Sequence, residues 1–303
     1  MPVFQPGLVH TPITPFTAGL QIDFDLFEKL IEFHLRNGAQ ALALPMHVGE
    51  SVSLSDAEQR SLIAFTIKQV RGRVPVIAHV SDSGTAIAAD RARHAQDAGV
   101  AAVVATTPYY WTPPAPMVLE HFAQIGAAVS IPFFILYTPE ELPTKIDTDL
   151  VLKLIARLGN FAGVIDASLD WQFMINIVSN AWRVRPDFQL VSGTEYMVSA
   201  GAVGATSMFS SLAGVAPGLV RRLYDICRKE KYFEARKVQE ELAELRQSVK
   251  RAGFAGLKGA LRAMGRDCGQ PRPPLDALSA EGYQKLAAEL GAQTALREEP
   301  KGW

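Results

Sequence analysis

Eight short apolar runs, each followed by an amphipathic stretch, constrain the fold of this chain more than any other feature. The runs are Leu8 to Thr11, Ala41 to Pro45, Val74 to His79, Ala101 to Thr106, Phe133 to Tyr137, Phe161 to Ile165, Phe188 to Ser192 and Ala205 to Phe209. Most are rich in Val, Ile, Leu and Ala and alternate little between polar and apolar residues, as strands buried on both faces do. The stretches between them carry helix signals. Phe24 to Asn37 places Leu26, Phe27, Leu30, Ile31 and Phe33 on one face and stops at Gly38, a C-cap residue. Ser55 and Glu58 have the spacing of a capping box that opens a helix toward Val70. Asp147 or Thr148 can cap the helix carrying Leu150, Val151, Leu154 and Ile155.

Repeated strand–helix alternation predicts a parallel sheet covered by helices, and eight units in 303 residues predict a closed (β/α)8 barrel. An open doubly wound sheet is the alternative. It would need a Gly-rich turn after a strand, whereas the stretch from Gly201 to Gly204 precedes one. Beyond Ala216 and Pro217 only helical patterns follow: Gly218 to Lys229, Tyr232 to Lys250, Gly256 to Met264 and Ala280 to Leu290. The expected organisation is a barrel over 1–217, a helical C-terminal extension over 218–292 and a polar tail over 293–303 that frays.

Charge and composition narrow the function classes. A net charge of −1 gives no electrostatic case for nucleic acid or an anionic membrane. Cys227 and Cys268 lack metal-ligand spacing and read as free thiols in a reducing compartment. The first residues lack a basic segment leading into an apolar one, and no apolar run reaches the roughly 18 residues of a membrane span. A cytoplasmic enzyme-sized protein is expected, with no cofactor implied.

Several motifs, in order, resemble the dihydrodipicolinate synthase / N-acetylneuraminate lyase family along nearly the whole chain. They are LVHTPITPF (8–16), MHVGE (46–50) in place of G-T-T-G-E, and SLSDAEQR (53–60). TTPYY (106–110), ILYTP (135–139), VSGTE (191–195) and GAVGATS (201–207) follow, then GLKGALRAMG (256–265) and PRPPL (271–275). The resemblance implies a barrel with its site at the C-terminal strand ends. In the family a sixth-strand lysine forms a Schiff base with a 2-oxo acid, usually pyruvate. A fifth-strand tyrosine relays protons, the G-T-T-G-E loop holds the carboxylate, and a tyrosine of P-Y-Y completes the relay across a subunit interface. A homotetramer built from tight dimers is implied as well.

The chain departs from this pattern where the chemistry sits. Its sixth strand reads FAGVIDASLD (161–170) against G-I-K-D-S-S, so Ile165 takes the lysine position, with Asp166 and Ser168 in register beside it. Isoleucine has no nucleophile. No candidate strand contains a lysine; Lys145 reads as a solvated helix-start residue, and Lys258 lies among the C-terminal helices. His47 and Val48 replace two threonines, and valine cannot bond a carboxylate through its side chain. Met46 opens that loop, His79 and Ser81 replace glycines at the end of the third strand, and no arginine follows Tyr137.

The expected catalytic set is therefore Tyr137, Tyr110, His47 and Asp166. Val48, His79, Ile165, Ser168, Glu195 and Ser207 are expected to touch substrate. Tyr109, Met208 and Phe209 read as packing residues, Glu50 as a loop-bonding carboxylate, and Trp111 with Tyr110 as aromatic interface residues. Three functions stay open. The first is a lyase acting on a small oxo or hydroxy acid without the usual imine. The second is an inactive small-molecule-binding or regulatory homologue. The third is a metal-assisted lyase or hydratase using His47, His79, Asp166 and Glu195.

Overall fold

The eight apolar runs become eight parallel strands that close on themselves in the order β1 to β8, with β1 paired to β8. The computed structural model describes residues 4–303; residues 1–3, part of the N-terminal stretch read for a targeting signal, lie outside it. The strands are β1 (Leu8–His10), β2 (Ala41–Leu44), β3 (Val76–His79), β4 (Ala102–Ala105), β5 (Phe133–Tyr137), β6 (Phe161–Asp166), β7 (Gln189–Ser192) and β8 (Ser207–Ser210). Helices α1 (Phe24–Arg36), α2 (Asp56–Val70), α3 (Thr85–Asp97), α4 (Ala115–Ala127), α5 (Thr148–Arg157), α6 (Trp171–Val184), α7 (Met197–Ala202) and α8 (Pro217–Cys227) follow the strands in turn. The eighth β/α unit thus runs to Cys227, beyond the boundary at 217 drawn from the end of the strand pattern. Three further helices complete the chain: α9 (Tyr232–Arg251), α10 (Gly256–Ala263) and α11 (Ala280–Ala292).

Caps set the helix starts as their sequences demand. Asp23, Asp147 and Asp170 accept from backbone N–H groups at the N-termini of α1, α5 and α6. Ser55 and Glu58 form a reciprocal capping box on α2. Strand parity then divides the core into two. Val9, Ala43, Ile77, Val104, Phe134, Ile165, Val191 and Phe209 fill the lumen. Their strand neighbours Leu8, Leu44, Ala78, Ala105, Ile135 and Val164 face the helices. Each fully buried aliphatic or aromatic side chain contributes about 1.5–3 kcal/mol.

Two polar clusters tie the C-terminal region to the barrel. Glu50, held at φ 58 after the β2 loop, pairs with Lys258 Nζ at 2.7 Å and accepts the Arg272 N–H at 2.8 Å. Lys258 also donates to the Gln270 carbonyl and lies 4.3 Å from the Phe16 ring centroid. The Arg272 side chain reaches Glu58 and the carbonyls of Leu20 and Ser53. The loop-bonding role expected of Glu50 is therefore a bond to two distant segments.

The second cluster centres on Arg266, which is fully buried and stacks 4.2 Å from the Phe33 ring. It donates to the carbonyls of Gly214, Val215, Pro300 and Gly302. Glu299 accepts the N–H groups of Gly218 and Leu219 at the start of α8, where a carboxylate complements the helix dipole. The tail expected to fray is docked, because Arg266 needs its carbonyls and α8 needs its carboxylate. Under the same region the Nδ1 atoms of buried His10 and His34 lie 3.1 Å apart. Burial, with Arg266 nearby, pulls His34 down to about 3.

Candidate active site

A cavity of about 330 Å³ opens at the C-terminal ends of the strands. The β2 loop enters a 3-10 turn over His47–Gly49, which sets Met46, His47 and Val48 on the cavity wall. On β3 the inward parity of Ile77 continues to His79, and on β5 the parity of Phe134 continues to Leu136. Thr138, Glu141 and Leu142 extend the β5 side, while Thr194, Glu195, Ser210 and Ser211 close the β7–β8 side. Arg246 reaches in from α9.

Two polar groups of the wall are locked. Glu195 accepts from Ser210 Oγ at 2.7 Å and from the Leu212 N–H at 3.0 Å, and its other oxygen meets Arg246 at 2.7 Å. His79 Nε2 lies 2.8 Å from Ser81 Oγ, which itself accepts the Thr106 N–H at 2.8 Å, leaving the serine proton for the imidazole. Burial, then His47, lowers His79 to about 4, so its ring is neutral at pH 7. Tyr109, half-buried beside Asp82, has its pKa raised, chiefly by burial, and remains a phenol. His47 is exposed, with its ring edge against Phe254.

Of the predicted site residues, the fold brings His47, Val48, His79 and Glu195 together around the cavity. The others lie elsewhere. Tyr137 shares the outward parity of Ile135 and stacks on Phe173 of α6, with ring centroids 4.7 Å apart. Asp166, its ladder partner on β6, also faces outward. One Asp166 oxygen accepts from Ser168 Oγ at 2.7 Å, the other has no partner, and burial raises the carboxyl to about 6. Ser168 is spent on that turn. Ser207 sits at the opposite end of its strand and accepts the Gly7 N–H. Tyr110 is 99% exposed at φ 88 and does not line the cavity. Such a dihedral is an outlier for a bulky residue.

Ile165 does face the lumen, fully buried below the cavity, and its ladder partner is Leu136. The lumen-facing place expected of Tyr137 is taken by Leu136, because the strand presents 136 and not 137 inward. The proposed metal ligands do not converge either. Asp166 is outside the barrel, and no group of three His, Cys, Asp or Glu side chains is placed to hold a metal among the described residues.

Sequence reasoning missed Arg246, Leu136, Leu142 and Tyr109 as wall residues, and Phe209 as cavity floor. Leu136 was recoverable from parity, since Phe134 and Leu136 alternate with three outward residues. Arg246 gave no local signal, because it meets Glu195 across 51 residues. A larger hollow of about 420 Å³ lies between the β1–α1 loop and helices α10 and α11, where Arg262 stacks on Tyr283. It contains none of the predicted site residues.

Strand-end cavity, closed parallel barrel and appended helices define a (β/α)8 protein with a cavity at the face where such barrels carry their sites. The profile of the dihydrodipicolinate synthetase family matches residues 5–293, and the chain belongs to that family. A 4-hydroxy-tetrahydrodipicolinate synthase of Rhodopseudomonas palustris (strain BisA53) is 31% identical over 291 residues, covering 95% of this chain and 96% of that protein. One from Nitrobacter hamburgensis is 33% identical over 259 residues, covering 84% and 85% respectively. The crystal structure of dihydrodipicolinate synthase from Aquifex aeolicus superposes with a TM-score of 0.90 at 27% identity, over 98% of this chain and 100% of that one. Among the described residues, no helix is long and apolar enough to cross a membrane.

Proposed function

We propose that this family member is a lyase-type enzyme that binds a small oxo or hydroxy acid at the barrel mouth and acts on it without an enzyme imine. The observation that carries the reading is the lumen pair Ile165 and Leu136, two apolar side chains where imine chemistry needs an amine and a phenol. No lysine lines the cavity, and Lys258 is committed to Glu50. His47 is the cavity histidine whose ring nitrogens have no protein partner among the described residues, which makes it the candidate base. Tyr109 is the candidate acid. Tyr110 reaches nothing in its own cavity, so its role requires the second copy that a homotetramer would supply.

A binding role without turnover is the second reading. It is favoured by the engagement of His79 and Glu195 in fixed hydrogen bonds, which removes two of the four predicted wall groups from proton transfer.

The test combines borohydride trapping with isotope exchange. After incubation with pyruvate and borohydride the intact mass should be unchanged; a trapped adduct would overturn the proposal. Deuterium should wash into the position beside the carbonyl of a bound oxo acid, and His47→Ala should abolish this. Ligand-induced thermal stabilisation without exchange would establish the binding role instead.

A further inference from the structure

We infer that the ligand is a monocarboxylic acid with an apolar body of aryl or branched-alkyl size, its carboxylate held by Arg246 on α9. This rests on the acid-binding reading above and adds the class of acid.

Size and lining supply the first argument. The cavity of about 330 Å³ equals about eleven water volumes at ~30 Å³ each, more than a three-carbon acid fills. Its floor and one wall are Met46, Val48, Leu136, Leu142 and Phe209, with Val52 at the rim. A ligand without an apolar body would leave these surfaces in contact with confined water. Each methylene that covers them should tighten binding about four-fold.

Arg246 supplies the second. A guanidinium carries its N–H donors in a rigid fork, and Glu195 takes only one of its nitrogens, NH1, at 2.7 Å. The rest of the fork has no protein acceptor among the described residues, and the side chain keeps 32% exposure. The fork is also held in place. Glu195 is fixed by Ser210 and Leu212, and Gln239 on the same helix donates to the Glu195 carbonyl at 2.8 Å. Across the mouth, the β5 loop places Glu141 and Leu142 on the wall, and neither can receive an anion. Glu141 is itself bonded by the Thr138 hydroxyl. Glu195 is paired with Arg246, so Glu141 leaves the mouth one negative charge in excess and disfavours a dianionic ligand against a monoanion.

The experiment measures binding of pyruvate, 2-oxohexanoate, phenylpyruvate and the methyl ester of phenylpyruvate by calorimetry. The proteins are the wild type, Arg246→Gln and Arg246→Lys. Phenylpyruvate should bind at least ten-fold tighter than pyruvate, with 2-oxohexanoate between them. Arg246→Gln should weaken the acids at least ten-fold and leave the ester within two-fold, and Arg246→Lys should recover part of the acid binding. Equal loss for acid and ester would assign Arg246 a structural role and overturn the inference. Pyruvate binding as tightly as phenylpyruvate would also overturn it while leaving the functional proposal standing. Failure of the whole series to bind a folded wild type would overturn both.

Discussion

One loop, residues 46–50, serves two regions that differ in kind. Its downstream end, Glu50, belongs to a buried clamp with Lys258 and Arg272 in which every charge has an opposite charge or a carbonyl. Its upstream end, Met46 to Val48, faces a cavity where apolar bulk stands beside an unpartnered imidazole. The clamp uses residues from the stretches 46–50, 256–265 and 271–275 that resemble the family, and the mouth is where the sequence reading expects departures. What these motif residues do in the structure is fasten the C-terminal helices to the barrel.

Lysine itself tests that comparison most severely. Ile165→Lys would bury an amine beside Leu136 with no partner, depressing its pKa by about three units or more and destabilising the protein by about 4 kcal/mol at neutral pH. The loss should shrink as the pH is raised toward 10, which urea unfolding at two pH values would show. A stable variant at pH 7 would mean that the lumen is wetter than its lining implies. At the clamp the same residue type is tolerated because of its partners. Glu50→Leu should cost about 3 kcal/mol by stranding Lys258, and Lys258→Met added to it should restore part of that stability. Additive losses would count against a coupled pair.

Acid should act on the mouth through His79, beside Arg266 through His34, and on α4 through His121, which faces Thr85. His34 is held at about 3, and His79 and His121 at about 4, all below the unfolded value of 6.5. Their folded pKa values are depressed, so the stability from keeping them neutral is present above 6.5 and is lost as the pH falls toward 4. The slope limit is about 1.4 kcal/mol per pH unit per group. Asp166, raised to about 6, works the other way, because its protonation on acidification favours the fold. His10 is depressed as well, and Glu299 is raised like Asp166, so four histidines stand against two carboxyls and predict a lower urea midpoint at pH 5 than at pH 7; equal midpoints would contradict these burials. The smallest effect is expected at the tail. Glu299→Ala should cost about 1 kcal/mol by uncapping α8, seen as a small fall in Tm.

The strands were readable to within about two residues because fully buried parallel strands leave unbroken apolar runs. That same property hid which residues face inward. On β5 both faces are apolar, so only alternation counted from Phe134 separated Leu136 from Tyr137, and the motif pointed to the tyrosine. Glu195 was found by motif, but its partner Arg246 was not, since α9 carries many charges and only tertiary contact singles one out. The tail misled for a related reason. Its polar residues suit solvent, yet Glu299 and the carbonyls of Pro300 and Gly302 answer buried needs elsewhere.

The adjacency of Leu136 and Ile165 makes the two positions dependent on each other. An amine placed at 165 without a polar neighbour at 136 would be buried and unpaired, whereas a polar group at 136, half-buried on the cavity wall, would still meet solvent. The order of any exchange therefore matters: position 136 can take a polar side chain first, and position 165 cannot without its neighbour.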